Sequence, residues 1–278
     1  MRAGAYFVAA TAASLALASP AAAATRVYHD PPIPMSPSQS TNWAGYADTG
    51  SFFTDVKGTW VQPAVSCQGY QSTFSAFWVG LGGYSGDSGG LEQTGTESDC
   101  EDGQPVYNAW YELLPDSSVS IPIVVSPGDT IAAEVSVDEA TVTLTITDQT
   151  NGQSFTTQQT PDLLDTSSAE WIAEAPSRCF GSRCLALRLA NFGTVDFSGS
   201  STTANGHVGT ISDASWSANA IELGGRTGGA IPASLSPDGS GFSVAFTAPV
   251  MVQPPMQVPR PKAKPKPKPK PHRRGGGV

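Results

Sequence analysis

IAAEVSV (131–137) and TVTLTIT (141–147) stand three residues apart, and the second alternates without a break between threonine and an apolar residue. A period of two sends successive side chains to opposite faces of a sheet, so each stretch reads as a strand with one buried face. The short polar gap joins them as a hairpin. Asn151-Gly152 then marks a second tight turn ahead of SFTT (154–157). Outward from this pair the pattern repeats in GTWVQ, FSAFWVG, VYNAWYE, LALRLANF and GFSVAFT, each bounded by Gly, Pro, Asp or Ser. No long apolar stripe of helical period interrupts them. Many short strands at this spacing predict an all-β chain, an antiparallel β-sandwich of about 200 residues in one domain.

The flanks have a different composition. Residues 1–24 carry one base, then an Ala-rich apolar stretch ending in small residues, the pattern of a secretory signal peptide. Residues 25–40 (TRVYHDPPIPMSPSQS) are rich in Pro and Ser and read as an extended lead-in or short pro-segment, leaving 41–252 for the sandwich. Residues 253–278 hold eight bases and no acid, mostly as alternating Pro and Lys. Such a tail builds no core and favours polyproline II. Its charge suits a tether to an anionic cell-envelope polymer. No later run of 18 apolar residues exists, so a secreted, soluble protein is expected.

The formal charge of −9 conceals this split, because residues 25–252 carry all 24 acids against six bases. A body this acidic repels nucleic acid. It also suits acid: near pH 4 about half of ordinary carboxyls are protonated, and the body's charge of −18 falls to roughly −6. Four cysteines (Cys67, Cys100, Cys179, Cys184) fit two disulfides in an exported protein, with three pairings open to them. Cys179 and Cys184 bracket a short loop. The absence of C-x-x-C spacing and a total of three histidines argue against zinc. The acidic run from Glu97 to Asp102 lacks calcium-loop spacing and reads as a solvated loop pinned by Cys100. No metal or cofactor is implied.

GDSGG (86–90) is the string that carries the nucleophile of chymotrypsin-like proteases. Ser88 would need a His and an Asp. The only upstream histidine is His29, in the Pro-rich lead-in, so the string is set aside. Polar residues inside apolar strands are more informative. In Tyr107-Asn-Ala-Trp-Tyr-Glu112, alternation puts Asn108, Trp110 and Glu112 on one face; in Ala169-Glu-Trp-Ile-Ala-Glu174 it groups Glu170, Ile172 and Glu174. Gln93 points away from Glu92. Taken singly, each carboxylate is expected on a solvated face.

NWAGY (42–46), GTWVQP (58–63), FWVGLGG (77–83), LEQTG (91–95), YNAWYELLPD (107–116), AEWIAE (169–174) and NFGTVDF (191–197) occur in that order. The ordered set resembles the glutamic peptidases, or eqolisins, over roughly residues 41–247, and suggests a secreted, bacterial-type member. The resemblance implies a sandwich of two large antiparallel sheets, concanavalin-like or jelly-roll-like, and acid-acting cleavage of polypeptide substrates; a monomer is expected. It places the catalytic pair on Gln93 and Glu174, with Trp43, Trp110, Glu112 and Asn108 lining or supporting the cleft. The Cys179–Cys184 loop likewise resembles a family disulfide. Fungal members carry Asp where this chain has Gly82 and Asn108. In such a scheme Glu174 draws a proton from water and later returns it to the leaving amine, while Gln93 stabilises the oxyanion. The competing readings are a glycoside hydrolase with Glu112 and Glu174 as paired carboxylates, and a secreted carbohydrate- or envelope-binding module.

Overall fold

The computed structural model describes residues 29, 34–36, 38–85, 89–180, 183–225 and 228–249. The leader (1–24), the basic tail (253–278) and Ser88 lie outside the described residues, as does most of the lead-in before Pro34.

In chain order the strands are β1 Pro34–Ser36, β2 Gln39–Ser40, β3 Trp43–Thr49, β4 Phe53–Val61, β5 Ala76–Leu81, β6 Glu92–Glu101 and β7 Gln104–Leu113. There follow β8 Val119–Ile121, β9 Thr130–Asp138, β10 Thr141–Asp148, β11 Ser154–Gln159, β12 Ser168–Glu174, β13 Ser177–Phe180 and β14 Arg183–Ala186. The last five are β15 Thr194–Ala204, β16 His207–Thr210, β17 Ser217–Leu223, β18 Gly229–Pro232 and β19 Phe242–Thr247. One sheet runs β17-β3-β12-β5-β6-β7-β8, every pairing antiparallel. The other runs β11-β10-β9-β4-β15-β19-β18, with β16 also against β15. The far end of β17 pairs with β18, so this strand passes from one sheet to the other. β13 and β14 form a separate small ribbon.

The hairpin expected from alternation is β9–β10, with Leu144 opposite Val135 and Ile146 opposite Ala133. Their inward faces join Trp60, Val79, Trp171 and Phe197 in the core between the sheets. The sheet containing β12 is buried on its other face too, where Trp43, Trp78, Leu91, Trp110, Ile172 and Ile221 form a second apolar cluster. This explains why β5 and β12 are buried at every position. A strand covered on both sides has no solvated face, and its polar residues must find partners inside.

Two local expectations need correction. LALRLANF is strand only up to Ala186; beyond it the chain makes isolated bridges at Leu189 and Asn191. Leu189, Ala190 and Phe192 are buried while Leu185 is exposed, and burial of these apolar residues does not by itself require a ladder strand. The run Glu97–Glu101 is part of β6, with Asp99 buried, because it pairs residue for residue with β7 through Gln104. Cys67 is joined to Cys100 and Cys179 to Cys184. The first bond ties the end of β6 to the loop before β5; the second closes the β13–β14 ribbon.

Candidate active site

The register aligns the site in rows across β12, β5, β6 and β7. Glu174 stands opposite Ala76, Ala76 opposite Glu97, and Glu97 opposite Asn108. The next row is Ile172, Trp78, Gly95 and Trp110, and the third is Glu170, Gly80, Gln93 and Glu112. Alternation therefore brings Gln93, Glu97, Trp110, Glu112, Glu170 and Glu174 to one face. Each row holds one small residue between larger ones: Ala76, Gly95 and Gly80. At Gly95 the spacing is obligatory: a Cβ there would lie 2.1 Å from the Phe77 carbonyl oxygen and 2.5 Å from the Trp78 Cβ.

Glu174, Gln93 and Glu112 are buried, contrary to the expectation that single carboxylates on these strands face solvent. The reason is the roof over this face. The Trp78 indole NH donates to Glu174 Oε2 at 2.8 Å, and Trp43 packs edge-on against Trp78 with ring centres 4.8 Å apart. Gln93 Nε2 donates to Glu112 Oε2 at 3.0 Å, which fixes which way the amide points. Trp110 presents its ring to the cleft, and Asn108 is exposed on the rim two residues away.

No pattern in the sequence marks His29 as a cleft residue. This lead-in residue is buried in the cleft, its ring stacked on Trp110 at 3.7 Å with 6° between planes. Its main-chain NH donates to Glu112 Oε2 at 3.2 Å and its carbonyl oxygen accepts from Gln93 Nε2 at 2.8 Å. Nδ1 lies 3.3 Å from Glu174 Oε2, and Nε2 lies 3.4 Å from Glu97 Oε1. Burial pushes the imidazole pKa down, but the side chains of Glu174 and Glu97 and the charge of Glu112 outweigh it, leaving it well above the ordinary value. Asp99 is raised well above the carboxylate range, first by burial and then by the charge of Glu97.

A second group of acids lies toward the opposite end of β12. Asp48, Glu92 and Glu170 are buried, and burial is the main cause that raises Asp48 and Glu92 to about 8 and lifts Glu170 far above its ordinary value. Asp165 joins them from the loop before β12. Gly82, where fungal glutamic peptidases carry Asp, has φ +83°, and a Cβ there would lie 2.5 Å from the Asp165 Cβ and 2.8 Å from its carboxyl carbon. Asp165 fills the space a side chain at residue 82 would need, and its carboxylate accepts from the Gly83 and Ser167 NH groups at 2.9 Å each.

Residues 41–245 match the profile of the Peptidase A4 family. The chain belongs to this family, the glutamic peptidases. The peptidase is 33% identical over 199 residues to aspergillopepsin-2 of Aspergillus niger, covering 63% of this chain and 68% of that protein. Its structure is similar to scytalido-glutamic peptidase holding a transition-state analog inhibitor, with TM-score 0.63 and 26% identity over 74% of this chain and 98% of the other. SCP-B, an eqolisin in complex with the tripeptide Ala-Ile-His, gives TM-score 0.58 at 26% identity over the same shares. The enzyme is thus a glutamic endopeptidase, a hydrolase of peptide bonds, and the glycosidase and binding-module readings are set aside.

Proposed function

We propose that the peptidase is a secreted acid endopeptidase that hydrolyses polypeptides with Gln93 and Glu174 as its catalytic pair. The observation that carries this reading is that one peptide residue, His29, reaches both groups, its carbonyl oxygen at Gln93 Nε2 and its ring at Glu174 Oε2. A substrate carbonyl seated at that amide would have a donor aimed at the oxygen that becomes negative. One such donor contributes about 2.7–4 kcal/mol to the transition state. Glu174, as carboxylate, takes a proton from the attacking water; the C–N bond then breaks as the same proton passes to the leaving nitrogen. Glu112 orients the Gln93 amide and the Trp78 indole holds one oxygen of Glu174.

A single carboxyl that acts as base and then as acid works best near its own pKa, about 4.3 for an ordinary glutamate, so the optimum is acidic. The two disulfides fit an oxidising compartment, in keeping with export by the 1–24 leader. The basic tail then serves as a tether to anionic envelope polymers, and the enzyme acts as a monomer.

The test is hydrolysis of an unfolded protein from pH 2 to 8. Activity on the acid side should fall about 10²–10³-fold in Gln93→Ala and by at least about 10²-fold in Glu174→Gln, with Ser88→Ala unchanged. Full activity in a folded Glu174→Gln protein would end this reading.

A further inference from the structure

The cleft sheet is built from β17, β3, β12, β5, β6, β7 and β8, and these seven strands hold no Lys or Arg between them. Alternation lines the face that carries Gln93 and Glu174 with acids instead, among them Glu97, Asp99 and Glu112. Such a face favours substrates that bring positive charge to it.

One place on it is shaped for a cation. Ala76 stands between Glu174 and Glu97 in their row, so those two side chains start two strand spacings apart, about 10 Å at the backbone. Trp110, from the neighbouring row, supplies an aromatic wall. Across the last strand pair Glu97 faces Asn108, exposed and uncharged, so no like charge stands opposite it. Asp99, two residues along β6, accepts from the Ser75 NH at 2.9 Å. Burial, and then the Glu97 charge, raise Asp99 well above the carboxylate range, so it holds its proton and does not compete for a cation. Behind the sheet Gln62 fixes the strand: its Nε2 donates to the Glu97 carbonyl oxygen at 2.9 Å and to Ser98 Oγ at 2.8 Å, and its Oε1 accepts from Thr96 Oγ1. The Glu97 side chain stays 15% exposed, within reach of a substrate, whereas Glu174 is wholly buried.

The contacts of His29 show what this place accepts. A flat ring lies on Trp110, with Nε2 3.4 Å from Glu97 Oε1. The carbonyl oxygen of the same residue rests on Gln93 Nε2, which on the catalytic assignment marks the acyl side of a scissile bond. The ring also reaches Glu174 at 3.3 Å. A productive substrate must leave that carboxylate to water, so Glu97 is the partner for its side chain.

Resting on the catalytic pair assigned above, we propose that Glu97 and Trp110 form the pocket for the substrate residue that provides the scissile carbonyl, and that they select a basic residue there, arginine above all. A guanidinium is flat enough to stack on the indole and presents a fork of donors to the carboxylate. Glu97 acts in binding that residue and takes no part in breaking the bond.

The experiment uses fluorogenic peptides identical except at that residue, which is arginine, citrulline or leucine, assayed at pH 4.5 with the protein and its Glu97→Gln variant, the cleaved bond being identified by mass. Citrulline keeps the shape of arginine and removes its charge. In the parent protein kcat/KM for arginine should exceed that for citrulline about ten-fold or more, the size of one charge-assisted contact, and in Glu97→Gln the ratio should fall to within about two-fold. The leucine peptide should rank with citrulline or below it in both proteins. The ratio within each protein is the readout, so a change that touches all peptides alike cancels. Calorimetry with acetylated peptide amides ending in arginine or citrulline gives the same ratio for binding, should the variant turn over none of the substrates. A parent ratio near one, or a ratio that Glu97→Gln leaves unchanged, would overturn the pocket and leave the catalytic pair untouched. A parent protein inactive on every peptide would end the catalytic pair instead, and the calorimetric ratios would still judge the pocket.

Discussion

Glu170 and Glu174 stand on the same face of one strand, four residues apart, and both are buried, yet they belong to different electrostatic worlds. Around Glu174 the acids face a cation, the His29 ring, and a neutral donor, the Trp78 indole. Around Glu170 are Asp48, Glu92 and Asp165, and among the described residues Asp48, Glu92 and Glu170 take part in no ion pair. Burial without a cation is tolerable only for a neutral carboxylic acid. The cleft end is therefore built to carry charge, and the far end is built for a solution that keeps its carboxyls protonated.

The comparison breaks most visibly in thermal melting. Asp48 and Glu92 hold their protons up to about 8 when folded, whereas in the unfolded chain such groups titrate near 4. Below about pH 4 both states are protonated and the stability from neutral burial is complete; as pH rises toward 8 the unfolded chain releases protons that the folded one keeps, and stability falls. From pH 4 to pH 8 the loss should reach several kcal/mol, about 10 °C or more in Tm. A flat Tm over that range would refute the far-end account. Replacing acids with amides sharpens it: Glu92→Gln and Asp48→Asn should each raise stability by about 2 kcal/mol at pH 7 and change little at pH 4, measured by urea unfolding.

On the cleft side, Trp78→Phe keeps the ring but deletes the donor to Glu174. The expected result is a fall in kcat of about ten-fold with the pH slope of Tm unchanged, since the far end is untouched. The smallest effect is at the boundary. Asp165→Asn preserves shape but weakens acceptance from the Gly83 and Ser167 NH groups, costing about 1 kcal/mol and reducing the pH slope slightly. A slope left wholly unchanged would place Asp165 outside the acidic group.

Much of this arrangement was legible in the sequence. Strict alternation in TVTLTIT located the β9–β10 hairpin, and the same rule grouped Asn108 with Trp110 and Glu112. Alternation says which residues share a face, however, and not what covers that face. The expectation that Glu112 and Glu174 would be solvated failed for this reason, since Trp43, Trp78 and His29 come from distant parts of the chain. His29 carried no pattern at all beyond being a lone histidine in a Pro-rich lead-in. Likewise Gly82 looked like a lost carboxyl, because the sequence does not show that residue 165 folds back into the space beside it. β15, rich in Ser, Thr and Gly, offered no apolar run to find, although Val195, Phe197, Thr202 and Ala204 point inward.

Gln93 invites a different kind of accounting, by hydrogens. Its amide nitrogen carries two, and two acceptors use them: Glu112 takes one and a peptide carbonyl takes the other. A glutamic acid of the same shape would have one hydrogen to divide between those acceptors when neutral, and none when ionised beside Glu112. The chain's choice of an amide over an acid at this position is thus set by valence: an uncharged side chain of that length with two hydrogens to donate is held in place by Glu112 through one and still has the other for a peptide carbonyl, here that of His29.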